Sequence, residues 1–186
     1  MRNRLVPAAS LFAFLLAGQS HAGQPGLGLA LGGMFLTNSS QQGGSGPSGT
    51  TLLTQTDFFY NWTWFGVGVL FQYDKQGSDE TDITFGPKLE LHWGVFYLEG
   101  AYAPLMQQAF TDRSISKQTG SAWLYGVGVR ISLSGSSGGS GGGGGFFFQA
   151  AYKYRTQTIT QQDGNPISQN IVQSDGYPLF GVGYHF

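Results

Sequence analysis

The fold this sequence predicts is an eight-stranded antiparallel up-and-down transmembrane β-barrel, on three observations. Eight stretches alternate with period two, and no helical period of comparable length is present. The connections between them are short and long by turns. Charged residues are 10% of the chain, against about 25% in ordinary soluble domains, while aromatics reach 15% and glycine 31 of 186 residues.

The chain opens with MRNRLVPAASLFAFLLAGQSHAG. Arg2 and Arg4 precede an apolar stretch from Leu5 to Gly18, then Ser20-His21-Ala22, the pattern of a secretory signal. The apolar stretch is shorter than the roughly 20 residues a membrane-spanning helix takes. Cleavage is expected after Ala22, leaving residues 23–186 as one barrel domain. Of the 9 basic and 10 acidic residues, the signal removes two arginines, so the net charge becomes -3. No basic run is present, which argues against a nucleic-acid partner. Cysteine is absent, which excludes a disulfide scaffold and thiol chemistry.

The strands follow in order. GLGLALGGMFL (26–36) is the first, TLLTQTDFFY (51–60) the second, WFGVGVLFQYD (64–74) the third and TDITFGPKLELHW (81–93) the fourth. GVFYLEGAYA (94–103) is the fifth, SAWLYGVGVRISL (121–133) the sixth, FFFQAAYKYR (146–155) the seventh and GYPLFGVGYHF (176–186) the eighth. Each is near the ~9–11 residues a tilted strand needs to cross a bilayer. Long polar connections follow the first, fifth and seventh runs, KQGSDE follows the third, and tight turns follow the second and fourth. That asymmetry places both termini on the short-turn, periplasmic side. The glycine tract 134–145 is the exception, a low-complexity insertion on the side of short turns.

Parity separates two faces. In the fourth run Ile83, Phe85, Leu89 and Leu91 alternate with Thr84, Gly86, Lys88 and Glu90; in the sixth, Trp123, Tyr125, Val127, Val129 and Ile131 alternate with Leu124, Gly126, Gly128 and Arg130. Asp57, Lys88, Glu90, Glu99, Arg130 and Lys153 all lie opposite the aromatic face of their own strand. Parity does not say which face points outward. A soluble calyx puts the apolar face inside; a membrane barrel puts it against lipid. The polar face decides for the membrane. It is mostly glycine with a few charges, and glycine weakens an exposed strand but makes room for larger neighbours inside a narrow barrel. Tyr60, Trp62, Trp64 and Trp93 at the short turns, with Tyr73 and Tyr102 at the loop side, suit interfacial belts. Asp57, Glu90 and Glu99 then balance Lys88, Arg130 and Lys153 in a lumen that side chains fill.

The chain resembles small bacterial outer-membrane barrels of the OmpA/OmpX type in strand number, loop asymmetry and its end, FGVGYHF. Gly181, Tyr184 and Phe186 match the end signal of that class, which the barrel-assembly machinery reads; Leu179 stands where the class usually has a polar residue. The resemblance implies an integral outer-membrane location among lipid.

No catalytic, cofactor or metal site is expected. His92 and His185 sit at strand ends without a serine and carboxylate in a recognisable arrangement. Pairing of Glu99 with Arg130, or Glu90 with Lys88, suits either a gate or a static plug, and the plug is favoured. TQTIT and ISQNIVQS alternate around DGNP, so the last two strands either extend as a hairpin able to pair with a surface partner, as in OmpX-type barrels, or end in a polar loop. A structural or surface-interaction role is expected. The alternatives are a narrow pore for ions or small solutes and, last, a lipid-modifying enzyme.

Overall fold

The structure, a computed structural model, describes residues 26–36, 51–62, 64–111, 114–133 and 145–186. The expected signal segment, the first long connection and residues 134–144 of the glycine tract lie outside them. The described residues form strands β1 (Gly26–Leu36), β2 (Thr51–Asn61), β3 (Phe65–Gln76), β4 (Glu80–Trp93), β5 (Phe96–Phe110), β6 (Lys117–Ser132), β7 (Gly145–Gln162) and β8 (Asn165–His185). Each pairs antiparallel with its neighbour in chain order, and β8 pairs back onto β1, so one sheet closes on itself. Closure removes the free edges that an open sheet exposes.

The alternation sorts side chains strictly along most strands. In β4, Glu80, Asp82, Thr84, Lys88, Glu90 and His92 are buried inside the ring, while Ile83, Phe85, Leu89, Leu91 and Trp93 are exposed outside. Burial in β4 is inverted relative to a water-soluble sheet: its charges are in and its large apolar groups are out.

Strand lengths depart from expectation at one end. The connections expected as long loops after the fifth and seventh runs are mostly strand: β5 and β6 continue to Phe110 and from Lys117, and β7 and β8 meet at Asp163-Gly164. KQGSDE likewise narrows to a turn at 77–79. Alternation marks a strand only while one face must be apolar. Beyond that level Thr and Gln occupy both faces, and backbone pairing continues unseen. Asp163 and Gly164 have φ of 47° and 83°, the two left-handed residues that a tight hairpin turn requires. The Asp163 carboxylate accepts hydrogen bonds from the Ser116 hydroxyl (2.6 Å) and the backbone amides of Ser116 (3.0 Å) and Lys117 (2.8 Å). The Ser116 hydroxyl, ahead of the two amides, holds that carboxyl below its ordinary value.

One bulge shifts the parity. Register slips between Phe85 and Lys88 on one side of β5, and between Ala103 and Met106 on the other. Both slips flank Pro104, which has no N–H for a ladder. Tyr97, Ala101 and Ala103 point inward before it; Met106 and Gln108 point inward after it, and Leu105 is turned out.

Candidate functional site

The six inward charges expected from parity converge on one connected network. Lys88 Nζ lies 3.0 Å from Asp57 Oδ2, 2.8 Å from Glu90 Oε1 and 3.7 Å from Glu99 Oε2. Arg130 meets Glu90 through both terminal nitrogens, each at 3.1 Å. Lys153 closes on Glu99, and Gln55 donates at 2.8 Å to both oxygens of Asp57. Glu90 and Glu99 are direct cross-strand partners, an arrangement that repels, and cations on both sides of the pair offset it. The pairing differs from one of the two suggested by sequence. Glu99 is opposite Gly126, whose other neighbour is Lys153, so Glu99 takes Lys153 and Lys88, while Arg130, farther along β6, takes Glu90.

Three rings surround the Arg130 guanidinium: Phe59 and Tyr97 at 4.8 Å and Phe147 at 4.9 Å from Cζ to ring centroid. Each such contact is worth about 0.5–2 kcal/mol, more as the site is desolvated. The rings fit because glycine stands opposite each one. Gly28 pairs with Phe59, Gly128 with Tyr97 and Gly183 with Phe147. A Cβ at those glycines would lie 2.4, 2.6 and 2.1 Å from the facing ring. The inward glycines thus leave the space in which the cage is built.

The two histidines complete this end of the lumen. His92 Nε2 is 3.3 Å from Glu90 Oε2. His185 packs against Phe59 and Phe147, with centroids 5.6 and 4.8 Å apart. Each histidine is buried among groups that fill space or hold charge.

A second polar cluster, absent from the sequence-derived set, lies toward the 163–164 turn. Arg155 binds Asp74 and Gln72 through one terminal nitrogen and Asp175 through Nε and the other, both at 3.0 Å. Gln72 donates to the Tyr177 hydroxyl at 2.6 Å, and Gln108 to Asp82 Oδ2 at 3.2 Å. The signal was present: Asp74, Asp82 and Arg155 share the parity of Gln72, Lys88 and Lys153. They stand at the ends of the alternating runs, where inside and loop are not distinguishable by pattern. An apolar layer of Leu70, Ala101, Ala103, Met106, Ala122, Leu124 and Ile159 is also buried in the ring. The first network balances three acids against three bases; the second does not balance.

Gly181, Tyr184 and Phe186 lie on the last strand and just past it. A Cβ at Gly181 would meet the Leu31 carbonyl oxygen at 2.6 Å. Tyr184 packs outside the ring between Phe146 (4.9 Å) and Phe186 (5.1 Å). The Phe186 amide donates to the Leu27 carbonyl at 2.9 Å, so the terminal ring is tied to β1. Tyr60, Trp62, Phe65 and Trp64 make a chain of ring contacts at the same end, 4.5–4.8 Å apart, and Tyr102 pairs with Trp123 at 4.7 Å nearer the other end. No protein-family model matches the sequence, and no curated protein matches it either.

Proposed function

We propose that the chain is an integral bacterial outer-membrane β-barrel whose lumen is sealed by paired charges and whose role is structural or surface-interactive. The inverted burial carries this reading. Trp123, Leu89 and Phe180 are 59, 49 and 62% exposed on the outside, while Arg130 and Lys88 are 1 and 4% exposed within. Water rewards the opposite arrangement; a hydrocarbon surround rewards this one, and where the ring is closed the strands satisfy one another's backbone groups, as hydrocarbon requires. On β6 the outward apolar face runs from Trp123 to Ile131, close to the ~9–11 residues a tilted spanning strand uses.

The sealed lumen rests on the two polar clusters and the apolar layer, formed by buried side chains apart from the half-exposed Asp175. The surface role rests on the hairpin of β7 and β8. From Asn165 to Leu179, β8 pairs with β7, and its pairing to β1 begins at Phe180. Among the described residues its other edge is therefore a row of free backbone groups, suited to adding a strand from a partner. Gly181, Tyr184 and Phe186 fit an end segment engaged by the barrel-assembly machinery during insertion.

Refolding the chain into a planar lipid bilayer tests the reading. A heat-dependent shift on a denaturing gel, with no discrete conductance steps, is the expected result. Steps altered by Glu99→Gln would move the function to a gated pore. A chain that stays monomeric in water without detergent would sink the membrane reading itself.

A further inference from the structure

We propose that a groove on the outer face of β4 to β7 binds an amphiphile of the neutral glycolipid class, an alkyl chain carrying an uncharged, hydroxyl-rich headgroup. The site lies outside the sealed lumen and the hairpin edge, and it rests on the membrane reading above.

Two bulges build the groove, one on each side of β6. On β5, Ala103 pairs with Ala122 and Met106 with Gly120, so Pro104 and Leu105 stand against the single residue Ser121. On β7, Thr160 is skipped between the pairs Gly120–Ile159 and Thr119–Gln161. A bulge bends its strand and sharpens the local twist. Glycine stands beside each one. A Cβ at Gly86 would lie 2.2 Å from the Tyr102 carbonyl oxygen, and one at Gly120 1.9 Å from that of Thr158. The neighbouring backbones therefore close in at both bulges. The depression they frame on the outer face has a volume of about 630 Å³, within the ~300–1,000 Å³ of small-molecule sites.

The lining selects the ligand. Ile83, Gln107, Thr119 and Gln161 are successive register partners across the four strands, so three uncharged polar side chains make a row at one level. One step toward the other end, Phe85 pairs with Leu105, and the Tyr102–Trp123 ring pair follows. The groove thus straddles the level where outward side chains change from apolar to polar, with aromatic rings beside it, as at a lipid interface. An alkyl chain fits over Phe85 and Leu105; a polar headgroup fits the row above them.

No lining residue is charged. A phosphate or carboxylate headgroup calls for Arg or Lys, so a neutral one suits the wall. The Thr119 hydroxyl donates to Gln161 Oε1 at 3.2 Å, which leaves that amide presenting its nitrogen as a donor. Gln107 and Ser121 offer donors and acceptors both, the match for hydroxyl groups, which also do both. An added polypeptide strand suits the groove less. Along it β4 to β7 are paired on both sides, so no backbone edge is on offer.

The test is photolabelling of the full chain, refolded in phosphatidylcholine vesicles, with an octyl glucoside that carries a diazirine on its chain. Mass spectrometry of the peptides should find label concentrated at residues 83–85 and 104–107, above that at 127–131 of the outward belt. Unmodified octyl glucoside should compete it away; octylphosphocholine, with the same chain and a charged headgroup, should not. Thr119→Val combined with Gln161→Leu changes no charge and should cut the groove label about fivefold. Ser121→Phe should fill the depression and abolish it, with the heat-dependent gel shift retained; if that variant fails to fold, the double variant decides alone. Equal labelling of groove and belt, equal competition by both amphiphiles, or label that the double variant leaves unaltered would overturn the proposal and leave ordinary lipid contact. Label at neither place would overturn the membrane reading along with it.

Discussion

Replacing Glu90 by glutamine tests the lumen network at its hub. The substitution keeps shape and one acceptor oxygen but removes the charge that meets Arg130 twice at 3.1 Å and Lys88 at 2.8 Å. Three bases would then face two acids. Lys88 retains Asp57 at 3.0 Å and Glu99 at 3.7 Å. Arg130 retains Gln149 at 3.2 Å and its three rings, none of which carries a charge. Breaking a buried pair costs about 3–5 kcal/mol. The partners left to Lys88 favour the low end, about 3 kcal/mol, against a total of roughly 5–15 kcal/mol for a folded domain. With a denaturant slope of about 1–3 kcal/mol/M, the urea midpoint should fall by ~1–3 M. Tryptophan fluorescence during urea unfolding from lipid vesicles reads this directly. Combining Glu90→Gln with Arg130→Met should cost less than the two single changes added, because no unpaired guanidinium is left buried. A Glu90→Gln loss below about 1 kcal/mol, or strict additivity of the pair, would refute the network as a source of stability.

Further outcomes follow from the same geometry. Val127→Arg, on the outward face of β6, should cost about 2–4 kcal/mol in a bilayer; a change within about 0.5 kcal/mol, as on a watery surface, would count against lipid there. Gly128→Ala would place a Cβ 2.6 Å from the Tyr97 ring and should cost about 1–3 kcal/mol of overpacking, while Gly100→Ala, with nothing within 4 Å of its Cβ, should be near neutral by the same unfolding assay. Asp163 has a folded pKa below its ordinary 3.8. Its anchoring of β6 is therefore complete above that value and lost as pH falls through the folded pKa. Amide exchange at Ser116 and Lys117 should speed up in that acid window, and Asp163→Asn should abolish the pH dependence. Deleting Gln161 to Ser168 should leave the heat-dependent gel shift intact and remove binding to surface partners; unchanged binding would dismiss the hairpin edge.

The ring of eight strands was legible because period two is a local property. Each run of alternating residues declares its own two faces, and the charges all sit on one of them. Asp57, Lys88, Glu90, Glu99, Arg130 and Lys153 could be placed in the lumen without knowing any partner. The same logic explained the inward glycines as space, though not whose space: that Gly28, Gly128 and Gly183 each admit one ring of the Arg130 cage is a matter of register between strands, which no single strand encodes. Register also chose Lys153 over Arg130 for Glu99. The bulge at Pro104 put Met106 and Gln108 inside and Leu105 outside, against simple extrapolation of parity. The extensions of β5 to β8 were hidden for a different reason. Where polar residues stand on both faces, hydrogen bonding between backbones sustains the strand, and backbone leaves no trace in side-chain pattern. That concealed the cluster of Asp74, Asp82 and Arg155. Within the alternating runs, sequence determined which face each residue takes, because that is settled by neighbours two positions away; the closed sheet alone decided who meets whom across it, because those distances depend on every strand's register at once.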